Sequence, residues 1–142
     1  MATVTAELRD GTAVALRARG FSWPSDEPVA AGGTDTGPDP YEVLLGGLAS
    51  CIAITLRLYA DHKGIDLTAV DVQLDFDRVD SDDFERCAER TDGVIERIRS
   101  EVTLYGSFND AERARLGQVA RRCPVHKTLE RGLTILDSVE YR

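Results

Sequence analysis

Apolar and polar residues alternate along "TVTAELRDGTAVALRARG", residues 3–20, on either side of Asp10-Gly11. Alternation with period two is the mark of a half-buried strand, and Asp-Gly between two such runs predicts a β-hairpin. "FSWPSDEPVAAGGTDTGPDP" follows. Its prolines and glycines predict a loop, with a short strand near Phe21 to Trp23 or at Val29. A loop of this length points to a functional or partner-contacting segment. At Asp39-Pro40-Tyr41-Glu42 the pattern changes. Asp39 suits a helix cap, Pro40 the first turn, and Glu42 the third helical position of a capping box. The helix runs to Lys63 and stops at Gly64. Leu44, Leu45, Leu48, Ile52, Thr55 and Leu56 spread around its circumference, so its first four turns are expected to be buried nearly all round. Arg57, Asp61 and Lys63 mark its emergence into water. Gly46 and Gly47 suit close helix contact.

Further on, "TAVDVQLDFDRV" sets Val70, Val72, Leu74 and Phe76 against Asp71, Gln73, Asp75 and Asp77, which predicts a half-buried strand. A polar, turn-like stretch carrying Cys87 leads to a second strand, "VIERIRSEVTLYG", paired with the first. Asn109-Asp110-Ala111-Glu112 is another capping-box start. Leu116, Val119, Ala120 and Cys123 follow on one face of that helix until Pro124 interrupts it. One or two further turns end at Gly132, and "LTILDSVEY" closes as a strand. Strands joined by short turns make an antiparallel sheet with helices packed on one face, an α+β domain spanning residues 1–142. A helix apolar on every side needs neighbours on every side. One sheet and one other helix do not supply them, whereas a dimer that buries the helix between subunits does.

A chain of 142 residues suits one domain with one core. The net charge of −8 disfavours nucleic acid and anionic membrane surfaces as partners. The start "MATVTAELRDG" lacks the basic and apolar pattern of a signal peptide. The uncharged run Val43 to Leu56 is shorter than the roughly 20 residues that span a bilayer, so a cytoplasmic location is expected. In a reducing compartment a structural disulfide among Cys51, Cys87 and Cys123 is not expected, and a paired set of thiols points to catalysis or redox sensing. With only His62 and His126, and no Cys-x-x-Cys spacing, a structural zinc site is not expected either.

A thiol attacks as the thiolate, and apolar surroundings raise its pKa. Cys51, inside "LLGGLASCIAITL", therefore needs a nearby cation. Arg9, Arg17 and Arg19 in the first hairpin are the candidates, and Glu42 is placed to hold an arginine. Pro124 pushes Cys123 out of the helical region, which lets it cap the next helical piece, whose N–H groups favour a thiolate. The plainer readings stand beside these. A buried cysteine usually acts as a small hydrophobe, Glu42 serves equally as a helix cap, and His126 as a cap or packing residue.

"GPDPYEVLLGGLASCIAITLRLYADHKG", followed about 70 residues later by "RRCPVHKTLERGLTI", resembles the family of osmotically inducible protein C and the organic hydroperoxide resistance proteins (OsmC/Ohr). The matching residues are Pro40, Glu42, Cys51 and Cys123-Pro124-Val125, and the order of elements agrees over essentially the whole chain. The wording of "GGTDTGPDPYE" is most similar to the OsmC-like subgroup. The resemblance implies an intertwined homodimer with the long helices buried centrally and the sites at the subunit interface. It also implies a thiol peroxidase without metal or haem cofactor. In it Cys51 attacks an organic hydroperoxide, Cys123 resolves the sulfenic acid as a disulfide, and a dithiol such as dihydrolipoamide, or a lipoylated protein, reduces the pair. "LRDGTAV" maps the family's activating arginine to Arg9, with Arg17 and Arg19 as alternatives. In the organic hydroperoxide resistance branch the acid stands at the position of Tyr41, one residue before Glu42. Cys87 has no counterpart among the signature residues. Two other functions fit the same fold: a binding protein for a lipid-like ligand without turnover, and a thiol redox sensor.

Overall fold

The computed structural model describes residues 1–80 and 94–142, so Cys87 lies outside the described residues. The chain divides into two units, Met1–Gly46 and Gly47–Arg142.

In the first unit, β1 (Thr5–Glu7), β2 (Val14–Ala18) and β3 (Phe21–Ser25) form an antiparallel sheet in that order. The expected hairpin around Asp10-Gly11 is present, but its last pair is Glu7↔Ala15, so the connection is wider than a two-residue turn. The reason is local. Thr12 turns aside to donate its hydroxyl to Asp26 at 2.7 Å. The second hairpin turns tightly through Arg19-Gly20, between the paired Ala18 and Phe21. A strand begins at Phe21, and Val29 falls in a short 3-10 turn instead. Pro24 is tolerated because β3 is an edge strand, where a missing N–H breaks no interior ladder.

The loop after β3 is organised by one carboxylate. Asp26 is 2% exposed. Its Oδ1 accepts from the Thr12 hydroxyl and the Glu27 N–H, and its Oδ2 from the N–H and hydroxyl of both Thr34 and Thr36. The hydroxyls of Thr12, Thr34 and Thr36 hold the Asp26 carboxyl well below the usual carboxylate range, against the opposing effect of burial.

Helix α1 (Pro40–Lys63) opens with the expected capping box. The Glu42 N–H donates to Asp39 Oδ1 at 2.9 Å, and the Asp39 N–H donates to Glu42 Oε2 at 2.7 Å. It closes with a Schellman pair, Ile65 N–H to the Ala60 carbonyl and Gly64 N–H to the Asp61 carbonyl. Gly64 takes the left-handed φ of 65° that this ending requires.

In the second unit, β4 (Asp66–Asp80) and β5 (Val94–Ser107) pair antiparallel along their length, with a register shift between Leu67 and Ala69. Gly106 sits where a Cβ would lie 1.9 Å from the Asp66 carbonyl oxygen, so no other residue fits there without moving the backbone. Arg57 bonds the Leu67 and Thr68 carbonyls and ties α1 to this irregular start of β4. Val70, Val72, Leu74, Ile98, Val102 and Leu104 share one face of the ribbon and pack against the core. Two helices follow, α2 (Asp110–Ala120) and α3 (Pro124–Arg131). Asn109 caps α2 by accepting the Glu112 N–H at 2.8 Å. The core joins Leu48, Ile52, Leu56 and Ala60 of α1 to Leu67, Leu116, Val119 and Cys123.

Three expectations need correction. The single sheet is two sheets, of three and two strands. Within the chain α1 is buried along one stripe at four-residue spacing, not all round: Ile54 and Leu58 are exposed, and a Cβ at Gly46 or Gly47 would meet nothing within 4 Å among the described residues. The segment after Gly132 forms no strand. Its Leu133, Ile135, Leu136, Val139 and Tyr141 are all exposed, since a strand needs an edge to pair with and this one pairs with none among the described residues. Counted end to end, α1 is also longer than its uncharged run. Its 24 residues, with a mean hydropathy of 1.8 over the most apolar window, suffice by length and composition to cross a membrane. Core helices of soluble proteins meet the same measure, and the buried stripe of α1 is packed on α2 and β4.

Candidate active site

The second unit brings Cys51 and Cys123 together. Cys51 lies one residue before Ile52, at the edge of the buried stripe of α1, and is half-buried against the core cluster. Leu56 of α1 and Leu116 of α2 are both fully buried in that cluster. Removing each such leucine from water contributes roughly 1.5–3 kcal/mol, so the two helices are held together firmly. A polar clasp adds to this: Arg115 Nε donates to the Tyr59 hydroxyl at 3.1 Å, and its guanidinium stands 5.7 Å from the ring centroid. That clasp escapes a reading of spacing, because its partners lie 56 residues apart.

Pro124 fixes the second cysteine. It sits at the start of α3 and excludes the helical region for the residue before it. Cys123 accordingly takes φ −63° and ψ 147° and becomes the N-cap, its Sγ accepting the His126 N–H at 3.4 Å. The expected placement is therefore present, but its electrostatic consequence is reversed. Cys123 is 0% exposed. Burial pushes its thiol up from the ordinary range; the His126 N–H pulls the other way, the adjacent Cys51 sulfur pushes it up again, and the Val125 N–H pulls down more weakly. Desolvation exceeds the help of the helix N–H groups, and Cys123 keeps its proton. Both cysteines are free thiols. Half-buried Cys51 thus packs against the core cluster that holds the buried, protonated Cys123.

The other expected residues lie in the first unit. Arg9 extends into water with its guanidinium 3.8 Å from Glu7, which also lies 3.9 Å from Arg17. Arg19 stands over the Phe21 ring at 5.1 Å. Glu42 spends one carboxylate oxygen on the Asp39 N–H, as a helix cap does. In the second unit His126 places Nδ1 3.6 Å from Glu130, beyond a hydrogen bond. Among the described residues no three His, Cys, Asp or Glu side chains gather as a metal site.

The architecture has solved counterparts. An OsmC-like protein from Mycoplasma pneumoniae superposes with a TM-score of 0.72 at 23% identity, over 92% of this chain and 87% of that one. An organic hydroperoxide resistance protein OsmC from Legionella pneumophila gives 0.62 at 18% identity, over 89% and 87%. An organic hydroperoxide resistance protein from Elizabethkingia anophelis gives 0.62 at 14%, over 89% and 86%. These likenesses establish the fold. No curated protein matches the sequence. The family model for OsmC-like proteins matches residues 33–136, which hold both cysteine segments, and the chain belongs to that family.

Proposed function

We propose that the protein is a cysteine-based peroxidase that reduces organic hydroperoxides at the expense of thiols. The observation that carries this reading is the pairing of half-exposed Cys51 with buried Cys123 in one core cluster. The organic hydroperoxide resistance proteins among the fold's relatives add support. The Cys51 thiolate attacks the distal peroxide oxygen, the O–O bond breaks, and the alkoxide leaves with a proton as the alcohol. Cys51 is then a sulfenic acid. The Cys123 sulfur displaces its hydroxyl, which leaves as water, and a Cys51–Cys123 disulfide remains. A dithiol reductant, small or carried as lipoyl on a protein, restores both thiols and becomes a disulfide itself. Arg9 is the proposed stabiliser of the thiolate, with Arg17 and Arg19 as alternatives, and Glu42 the residue that positions it.

A homodimer belongs to the same reading. The exposed Ile54 and Leu58 of α1 and the apolar residues after Gly132 are surfaces that a second copy would cover. A cytoplasmic location would supply the reductant. Intact mass after one equivalent of cumene hydroperoxide, with peptide mapping, tests the chemistry. The expected product has lost two hydrogens and carries one Cys51–Cys123 linkage. Oxidation of Cys51 no faster than that of free cysteine in stopped flow would remove the enzyme reading and leave a ligand-binding protein.

A further inference from the structure

A second feature of the second unit has no part in the thiol chemistry. On the outward face of α2 lies an open cleft of about 410 Å³, lined by Arg113, Ala114, Gly117, Gln118, Arg121 and Arg122. Leu116 and Val119 take the opposite, buried face. Ala114 and Gly117 keep the floor low, and a Cβ at Gly117 would meet nothing within 4 Å. Three guanidinium groups therefore surround a shallow trough. The Gln118 amide oxygen is already taken by Arg115 at 3.1 Å, which leaves its N–H groups for the cleft. The side chains lining the cleft thus offer hydrogen-bond donors and positive charge.

Helix stability does not account for this set. Arg121 and Arg122 at the carboxyl end of α2 suit the helix dipole, but Arg113 stands in its first turns, where a cation is disfavoured. None of the three has an ion-pair or hydrogen-bonded side-chain partner among the described residues, in a chain whose net charge is −8. Like charges gathered without carboxylates repel one another, and an anion relieves that repulsion. Arg113 and Arg121 are separated by about 12 Å along the helix axis, eight residues at 1.5 Å each. A single small anion does not span that length; a molecule with two or more separated charges does. Guanidinium forks match phosphate and carboxylate alike.

We propose that this cleft is a binding site for an extended polyanion, a molecule presenting two or more phosphate or carboxylate groups. The test is titration of the uniformly ¹⁵N-labelled full chain with sodium tripolyphosphate and, separately, with citrate, at low salt. The expected result is saturable shifts centred on the backbone amides of residues 113–122, weakened by added salt. Arg113→Gln, and Arg121→Gln with Arg122→Gln, should each weaken binding at least tenfold. Arg99→Gln on β5, which makes the same charge change as the first variant, should leave it within twofold. Preference for tripolyphosphate assigns the site to phosphates, and preference for citrate to carboxylates. No saturable binding of either probe by the wild-type chain, shifts centred elsewhere, or an equal loss in Arg99→Gln would overturn the proposal. The wild-type map stands even if a variant fails to fold. Peroxide turnover does not enter the readout, so this site and the thiol chemistry stand or fall separately.

Discussion

Oxidation with one equivalent of hydroperoxide should make the protein measurably harder to unfold. The Cys51–Cys123 linkage would close a loop of about 70 residues. The chain-entropy relation then assigns it about 4 kcal/mol, by restricting the unfolded state. One local loss opposes this gain. The Cys123 sulfur accepts the His126 N–H as the cap of α3, and a disulfide sulfur is a poorer acceptor than a thiolate or thiol. Loss of a side-chain cap costs about 1 kcal/mol. The net expectation is about 3 kcal/mol, which with a urea slope of roughly 2 kcal/mol per molar raises the midpoint by about 1.5 M. Urea titration followed by circular dichroism, on reduced and oxidised samples at one protein concentration, reads the shift directly. The fixed concentration matters because the apparent stability of a protein that pairs with a second copy, as proposed above, follows mass action. A sample mapped as fully Cys51–Cys123 linked, yet with an unchanged or lower midpoint, would refute the reasoning. It would mean that the linkage forms only by distorting the fold, so that the two sulfurs are not natural neighbours.

Three further outcomes are expected. Leu116→Ala should cost 2–5 kcal/mol in urea unfolding, the usual range for emptying a fully buried leucine site, and should slow disulfide closure because α2 loses its hold on α1. Cys123→Ser should fold, since serine is a good N-cap, but Cys51 should then gain one oxygen atom by mass and stop there without turnover. The Asp26 carboxyl is depressed by its threonine hydroxyls, so its contribution to stability is complete above the ordinary carboxylate range and falls away as pH drops below about 4. The urea midpoint of the wild type should therefore decline between about pH 5 and pH 2 more steeply than that of Asp26→Asn, which should be less stable than wild type at pH 7. Equal slopes would show that the Asp26 cluster carries no protonation linkage.

What could be read from the sequence follows the range of the interactions involved. Asp39 with Glu42 and Asn109 with Glu112 each act over three residues, so both helix starts were legible. Gly64 and Pro124 act on their own backbones, which fixed the end of α1 and the break before α3. The strand pair β4–β5 was legible because its apolar face repeats at every second residue over a long run. The Asp26 cluster was not, because its donors at 12, 34 and 36 come from a hairpin and a loop that show no common pattern until folded. The all-round apolarity of α1 and the apolar residues after Gly132 are real features of the sequence, but the structure of one chain buries neither in full. Of the candidate site, the two cysteines were legible through their flanking residues. That Cys123 holds its proton was not, because that depends on its depth of burial rather than on its position at a helix start.

That burial gives the proposed cycle an internal order. A resolving thiol that ionised early would compete for peroxide and expose a second sulfur to oxidation. In the reduced protein, burial and the neighbouring Cys51 sulfur both keep the proton on Cys123. The N–H groups of His126 and Val125 pull the other way and are outweighed. In the proposed cycle, conversion of Cys51 to a sulfenic acid would alter the neighbour that helps to raise the Cys123 thiol, while burial stays as it was. The helix N–H groups remain in place, already aligned on the Cys123 sulfur and costing no rearrangement. In the proposed cycle Cys123 thus keeps its proton while peroxide is at Cys51, and its sulfur is called on only when Cys51 has become the group to be attacked.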